Sequence, residues 1–132
     1  MAYESEVFCF LEHLAISDKH IIASLMRHRW KEGTSSVNNV YKALTNLAAV
    51  GKIVKGDGYF KLPGCKSEYQ EHAQLLTKAL AEILKLKLPT KIVREPTISE
   101  IGLRPDALVL LSKDNKGLCF ILEVANHEKS DY

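Results

Sequence analysis

Apolar residues recur at helical spacing through the first half of the chain, whereas near its end they gather into short runs bounded by turn residues. Over residues 5–14 the stripe Val7, Phe10, Leu11 and Leu14 predicts a first amphipathic helix. Ser17-Asp18 offers an N-cap for a second, with Ile21, Ile22, Leu25 and Met26 on its inner face. Gly33-Thr34-Ser35-Ser36 breaks that pattern and caps a third helix, in which Val37, Val40, Tyr41, Leu44, Leu47 and Ala48 fall at helical spacing. Gly51 stands where a left-handed residue ends a helix. Lys52 to Pro63 then reads as two short strands around the turn Gly56-Asp57-Gly58. Pro63-Gly64 closes a first domain, residues 1–64.

The second domain, residues 65–132, begins with a long helix from Ser67 to about Leu88, with Glu68 and Glu71 suited to its N-terminal dipole. Leu76, Ala79, Leu80 and Ile83 form one face, with Lys87 at its end, and Leu75, Leu84 and Leu86 widen it. That is more apolar circumference than one small sheet needs, so the surplus points to a homodimer contact. Pro89 stops the helix. A strand over Lys91–Arg94 follows, then a loop from Pro96 to Gly102. Next come two apolar stretches, Arg104–Leu111 and Phe120–Asn126, which read as neighbouring buried strands joined by the polar turn Ser112–Gly117. The fold class is therefore α+β. If the turn centres on Asp114 and Asn115, Asp106 lies opposite Glu123, on one face with Leu108, Leu110, Cys119 and Ile121. Like charges opposed on a half-buried face are destabilising, and a divalent cation between them would remove the repulsion.

With 132 residues and 46% hydrophobic content, the chain has the composition of a soluble globular protein. No apolar run approaches the roughly 18–20 residues that span a bilayer. The start is acidic where a secretory leader would be basic. Cys9, Cys65 and Cys119 are widely spaced, without a CxxC, so neither a disulfide framework nor a zinc site is indicated. Cys9 and Cys119 read as small core residues, and a cytoplasmic location with no membrane partner is expected. The net charge of +2 is unevenly spread. Between residues 27 and 61, seven bases (Arg27, Arg29, Lys31, Lys42, Lys52, Lys55, Lys61) face two acids (Glu32, Asp57), a net of +5. A polyanion would dock there.

Three helices followed by a hairpin is the order of a winged helix-turn-helix domain, and the run from Ser36 to Leu62 resembles that family. The outer face of the third helix carries Asn38, Asn39, Lys42, Thr45 and Asn46. Asn can read an adenine edge through two hydrogen bonds, and Lys or Thr can reach guanine or phosphate, so this face suits the major groove of double-stranded DNA. Lys55 and Lys61 would flank the wing and touch phosphates. The alternative is a merely solvated face, but Asn is a poor interior helix former, and three on one helix ask for a reason. Trp30 and Tyr59 read as structural supports.

Helix, strand, strand, strand, with an acid in a Pro-Asp pair and a Glu on the next strand, looks like the core of the PD-(D/E)xK nuclease superfamily. More narrowly, the chain is similar to the replication-relaxation family of plasmid and mobile-element proteins. The similarity is carried by the wing strand, by Leu103-Arg104-Pro105-Asp106-Ala107 and by Phe120-Ile121-Leu122-Glu123-Val124. It implies a DNA-binding protein of plasmid replication or topology control in a bacterial plasmid, phage or mobile element. In active nucleases of this kind two carboxylates hold Mg²⁺ or Mn²⁺, and a lysine two residues beyond the Glu positions the attacking water. Here that position is Ala125. Lys91 or Lys78 could substitute for the lysine and Glu71 or Glu82 could add an acid, but none has diagnostic spacing; His127 and Glu128 read as solvated. The expectation is a degenerate nuclease-like domain, requiring no cofactor, that serves dimerisation or partner binding. The rivals are a metal-dependent nickase using Asp106 and Glu123, and a winged helix that binds protein rather than DNA. The residues after Glu123 are too few for the helix and strand that usually complete this core. The fold is therefore minimal, completed by a second chain, or a piece of a longer protein.

Overall fold

The computed structural model describes residues 2–29, 36–66, 68–86, 91–94, 106–113 and 116–123. Expectations that rest on Trp30, Lys31, Glu32, Gly33 to Ser35, Ser67, Pro89, the loop from Pro96, Asp114-Asn115, Ala125, His127 and Glu128 lie outside them. The chain divides into two units, Met1–Leu86 and Lys87–Tyr132; it is an α+β protein, with four helices and two antiparallel three-stranded sheets among the described residues.

In the first unit α1 (Ala2–Leu14) leads into a two-residue strand β1 (Ile16–Ser17), then α2 (Lys19–Arg29), α3 (Val37–Ala49), β2 (Val54–Lys55) and β3 (Phe60–Lys61). Val7, Leu11 and Leu14 from α1, Ile22, Leu25 and Met26 from α2, and Val40, Leu44 and Leu47 from α3 are at most 2% exposed. Each such side chain contributes roughly 1.5–3 kcal/mol of burial. Asp18 caps α2 as its sequence requires, Oδ1 accepting from the Ile21 amide at 2.9 Å. Gly51, at φ 81°, ends α3 in the left-handed region.

β1 is an element that periodicity did not indicate. It pairs with β3 in the order β1-β3-β2, Ile16 opposite Lys61 and Ser17 opposite Phe60. Ala15 swings the chain from α1 into β1 with a positive φ of 69°, held by its amide on the Leu11 carbonyl (2.7 Å) and its carbonyl on the Leu62 amide (2.9 Å).

The long helix is α4 (Glu71–Leu86), and its place corrects the expected domain boundary. Rather than opening a second domain at residue 65, it packs on α2, β1 and α1 of the first unit. Buried Thr77 donates from Oγ1 to the Ile16 carbonyl at 2.9 Å, and His28 Nε2 donates to the Lys85 carbonyl at 2.9 Å, where the helix C-terminus offers an unpaired acceptor. Leu76, Leu80 and Leu84 are buried and Leu75 and Ile83 half-buried; only Leu86, at 88% exposed, is left open among α4's large apolar residues. The apolar surplus expected to serve a homodimer is therefore mostly consumed within the unit.

The second unit is a meander of β4 (Lys91–Arg94), β5 (Ala107–Lys113) and β6 (Lys116–Leu122). The β5–β6 register runs from Lys113↔Lys116 to Ala107↔Leu122, the register expected from equal distances to the turn; Asp106 and Glu123 stand one residue beyond its last pair. The strands reach closer to that turn than the apolar runs suggested. The sheet is also not covered on both faces: Ala107 and Val109 are buried, while Leu108 and Leu110 are half-buried and Cys119 and Ile121 exposed. Cys119 is thus no core residue, and Cys9 is only half-buried.

Candidate nucleic-acid interface

α3 is held by Ser36, whose Oγ accepts from the Asn39 amide at 3.1 Å while its carbonyl takes the Val40 amide at 3.1 Å. With α3's start fixed, the 100° step of a helix sets its faces. Val40, Ala43, Leu44 and Leu47 point into the core; Asn38, Asn39, Lys42 and Asn46 are exposed on the far side. Thr45 does not join them. It is half-buried at the edge of that face, its Oγ1 shielded from water beside the Tyr41 phenol. Thr45 is therefore less open than the four exposed side chains beside it.

Beside α3 lies the β2–β3 turn. Gly58 takes φ 80°, and the Gly56 amide donates to the Tyr59 carbonyl at 2.8 Å. A Cβ on Gly56 would meet the Tyr59 ring at 2.2 Å, so only glycine lets that ring fold onto the turn. Tyr59 packs in turn on Tyr69, ring centroids 5.8 Å apart, and Tyr69 donates its hydroxyl to Asp18 Oδ2 at 2.8 Å. Tyr59 is thus a support, as its sequence context suggested.

Lys55, expected to touch phosphates beside the wing, donates to the Tyr41 hydroxyl at 2.8 Å, its ammonium 5.1 Å from that ring's centroid. Lys19, at the start of α2, sits over the same ring at 4.8 Å. The Tyr41 phenol is held below its ordinary pKa, first by the hydrogen bond from Lys55 and then by that lysine's charge; the nearby Thr45 hydroxyl and the Lys19 charge add smaller contributions. Tyr41 also meets Phe60 edge-on at 6.1 Å. Lys19, Tyr41, Lys55 and the turn enclose a cleft of about 310 Å³. Sequence reasoning missed Lys19, which lies outside the basic segment, and read Tyr41 only as an inner helix position.

The rest of the basic segment is dispersed. Arg29 pairs with Glu6 on α1, Lys52 lies 6.0 Å over the Phe8 ring, and Lys61 is half-exposed on β3. In α1, burial pushes the Cys9 thiol up, with Glu12 and Glu6 adding to the effect, and His13 Nδ1 donates to the Cys9 carbonyl at 2.9 Å. In the second unit Asp106 is half-buried and Glu123 exposed. Among the described residues no three His, Cys, Asp or Glu side chains gather where they could hold a metal ion, and no helix is long and apolar enough to cross a membrane.

No family model, no curated protein and no solved structure matches the chain.

Proposed function

We propose that the chain binds double-stranded DNA through its first unit, a winged helix-turn-helix module in which α3 is the recognition helix and the β2–β3 turn the wing. The observation that carries this reading is the exposed face of α3. Asn38, Asn39, Lys42 and Asn46 stand together opposite a fully apolar inner face, on a helix whose start is fixed by Ser36. Amide side chains offer a donor and an acceptor together, the pattern an adenine edge presents in the major groove, and Lys42 supplies charge for guanine or phosphate. The order α1-β1-α2-α3-β2-β3, with β1 laid beside β3, supports the same assignment.

The strands β4–β6 are, in this reading, what remains of a nuclease-like core of the replication-relaxation type, its expected helix α4 packing in the first unit. The meander no longer cuts DNA efficiently and serves partner docking or association. Two carboxylates, Asp106 and Glu123, stand one residue beyond the last pair of β5 and β6, Ala107 and Leu122. They find no third ligand among the described residues, and the position two beyond Glu123 is Ala125, which can neither donate a hydrogen bond nor carry charge. Two carboxylates and waters could hold Mg²⁺ or Mn²⁺ only loosely, and no metal-dependent step is assigned to them.

One gel tests both halves. Purified protein is incubated with supercoiled plasmid in Mg²⁺, Mn²⁺ or EDTA, and retardation and nicking are read together. Retardation in all three conditions without nicking is expected. No retardation at low salt would favour a protein-binding winged helix, and metal-dependent nicking lost in Asp106→Asn and Glu123→Gln would make the chain an endonuclease.

A further inference from the structure

The cleft between α2, α3 and the β2–β3 turn is built more carefully than a solvated helix face requires. Lys19 and Lys55 bring their ammoniums to 4.8 and 5.1 Å from the centroid of one ring, that of Tyr41. Two like charges converging on one small site repel, and the ring's π face, one hydroxyl oxygen and the single carboxylate of Asp57 offset that repulsion only in part. The walls are fixed from behind. Lys19 follows Asp18, whose two carboxylate oxygens hold the Ile21 amide and the Tyr69 hydroxyl. Tyr69 supports Tyr59, and Tyr59 lies where Gly56 leaves room for it.

The donors are left over in a telling way. A tyrosine hydroxyl has one hydrogen and two lone pairs, so Tyr41, in accepting from Lys55, keeps its hydrogen to give. Lys55 retains two further N–H groups and Lys19 carries three. These donors border the cleft from different sides, and Asp57 is the one acid among its lining residues. At about 310 Å³ the cleft falls at the small end of the roughly 300–1,000 Å³ range of ligand sites. That is enough for a phosphate with the sugar carbons that flank it on a strand.

We propose that this cleft is a phosphate-binding site formed by Lys19, Tyr41 and Lys55, and that it seats one phosphodiester of the DNA backbone while α3 meets the bases. The phosphate chemistry follows from the cleft itself; naming DNA as its source rests on the function proposed above. The site fixes the register of the module on the duplex, a role that backbone contacts play without reading sequence.

The test uses the full chain, a fluorescent duplex of about 20 base pairs, and anisotropy across a salt series, with Lys19→Gln, Lys55→Gln, Tyr41→Phe and, as a control on exposed α4, Lys78→Gln. Each cleft lysine variant is expected to weaken binding several-fold, and the Lys19→Gln, Lys55→Gln double variant to lower the log–log salt slope by about 0.9, the share of the one phosphate contact, with a smaller change in each single variant. Tyr41→Phe removes a donor but no charge, so affinity falls while the slope stays; Lys78→Gln changes neither. A second arm titrates inorganic phosphate into ¹⁵N-labelled protein. Saturable shifts at Gly56 and Gly58 are expected, absent in the Lys19→Gln, Lys55→Gln double variant.

DNA binding that none of the three cleft variants alters would overturn the cleft and leave the DNA reading standing. Saturation by phosphate without any DNA binding would uphold the phosphate site and overturn its DNA source. Shifts produced by an acidic peptide but by neither phosphate nor DNA would overturn the proposal in favour of a protein partner.

Discussion

Lys55 on β2 donates a 2.8 Å hydrogen bond to the hydroxyl of Tyr41 on α3, joining the hairpin to the helix it flanks. The bond makes the phenol a stronger acid in the folded chain than in the unfolded one. Its contribution to stability is therefore fully present above the unfolded phenol pKa of about 10 and is lost as pH falls through the lowered folded value. In an ultraviolet titration, the component that disappears in Tyr41→Phe should ionise below the ordinary phenol range. Lys55→Gln should move it back up. A Tyr41 component that titrates like a free phenol in the native chain would contradict the bond.

The unit boundary after Leu86 has a direct consequence. A fragment of residues 1–86 should fold cooperatively, whereas residues 1–64 should not, because they lack α4 and with it Leu76 and Leu80, both 0% exposed. Within the full chain, Thr77→Val removes the hydroxyl bonded to Ile16 and should cost about 1–3 kcal/mol. Urea melts followed by circular dichroism read both effects. A stable, cooperative 1–64 fragment would return α4 to the second unit.

Gly56 and Gly64 should respond oppositely to alanine. At Gly56 the new Cβ meets the Tyr59 ring, whereas at Gly64 it meets nothing within 4 Å. Gly56→Ala should displace the ring, disturb its packing on Tyr69 and cost about 1–3 kcal/mol. Gly64→Ala should be neutral. Thermal melts with near-ultraviolet dichroism distinguish the two; equal behaviour would mean that Tyr59 does not rest on the turn.

The β6 face that carries Ile121, 55% exposed, also exposes Cys119. Burial and two nearby carboxylates hold the Cys9 thiol up, and thiolate is the form that reacts with alkylating agents. Iodoacetamide near pH 8 should therefore modify Cys119 well before Cys9, as peptide mass mapping would show. Protection of Cys119 would mean that another surface covers this face.

Local constraints were legible in the sequence; non-local ones were not. The pairing of Ala107 with Leu122 follows from counting outward from one turn, and the Ser36 cap and inner face of α3 follow from helical spacing. By contrast, β1 is two residues long and exists because Phe60 and Lys61 pair with it from far along the chain. An apolar stripe says that α4 must bury a face, not which elements it meets. Thr45 is half-buried for a related reason: helical spacing does not say which edge of a face its neighbours cover. Tyr41, Lys19 and Lys55 come from three elements, and no spacing brings them together.

The central claim is that α3 docks on duplex DNA, and the measurement nearest to it is the affinity of the native chain for duplex DNA against salt and sequence. Affinity should fall tens- to thousands-fold from about 50 to 200 mM salt if four to six phosphates are contacted. Lys42→Gln should weaken binding to every duplex, while Asn38→Ala and Asn39→Ala should flatten the preference among duplexes more than they lower affinity. Absence of binding at low salt, or binding that none of these three substitutions changes, would contradict the claim.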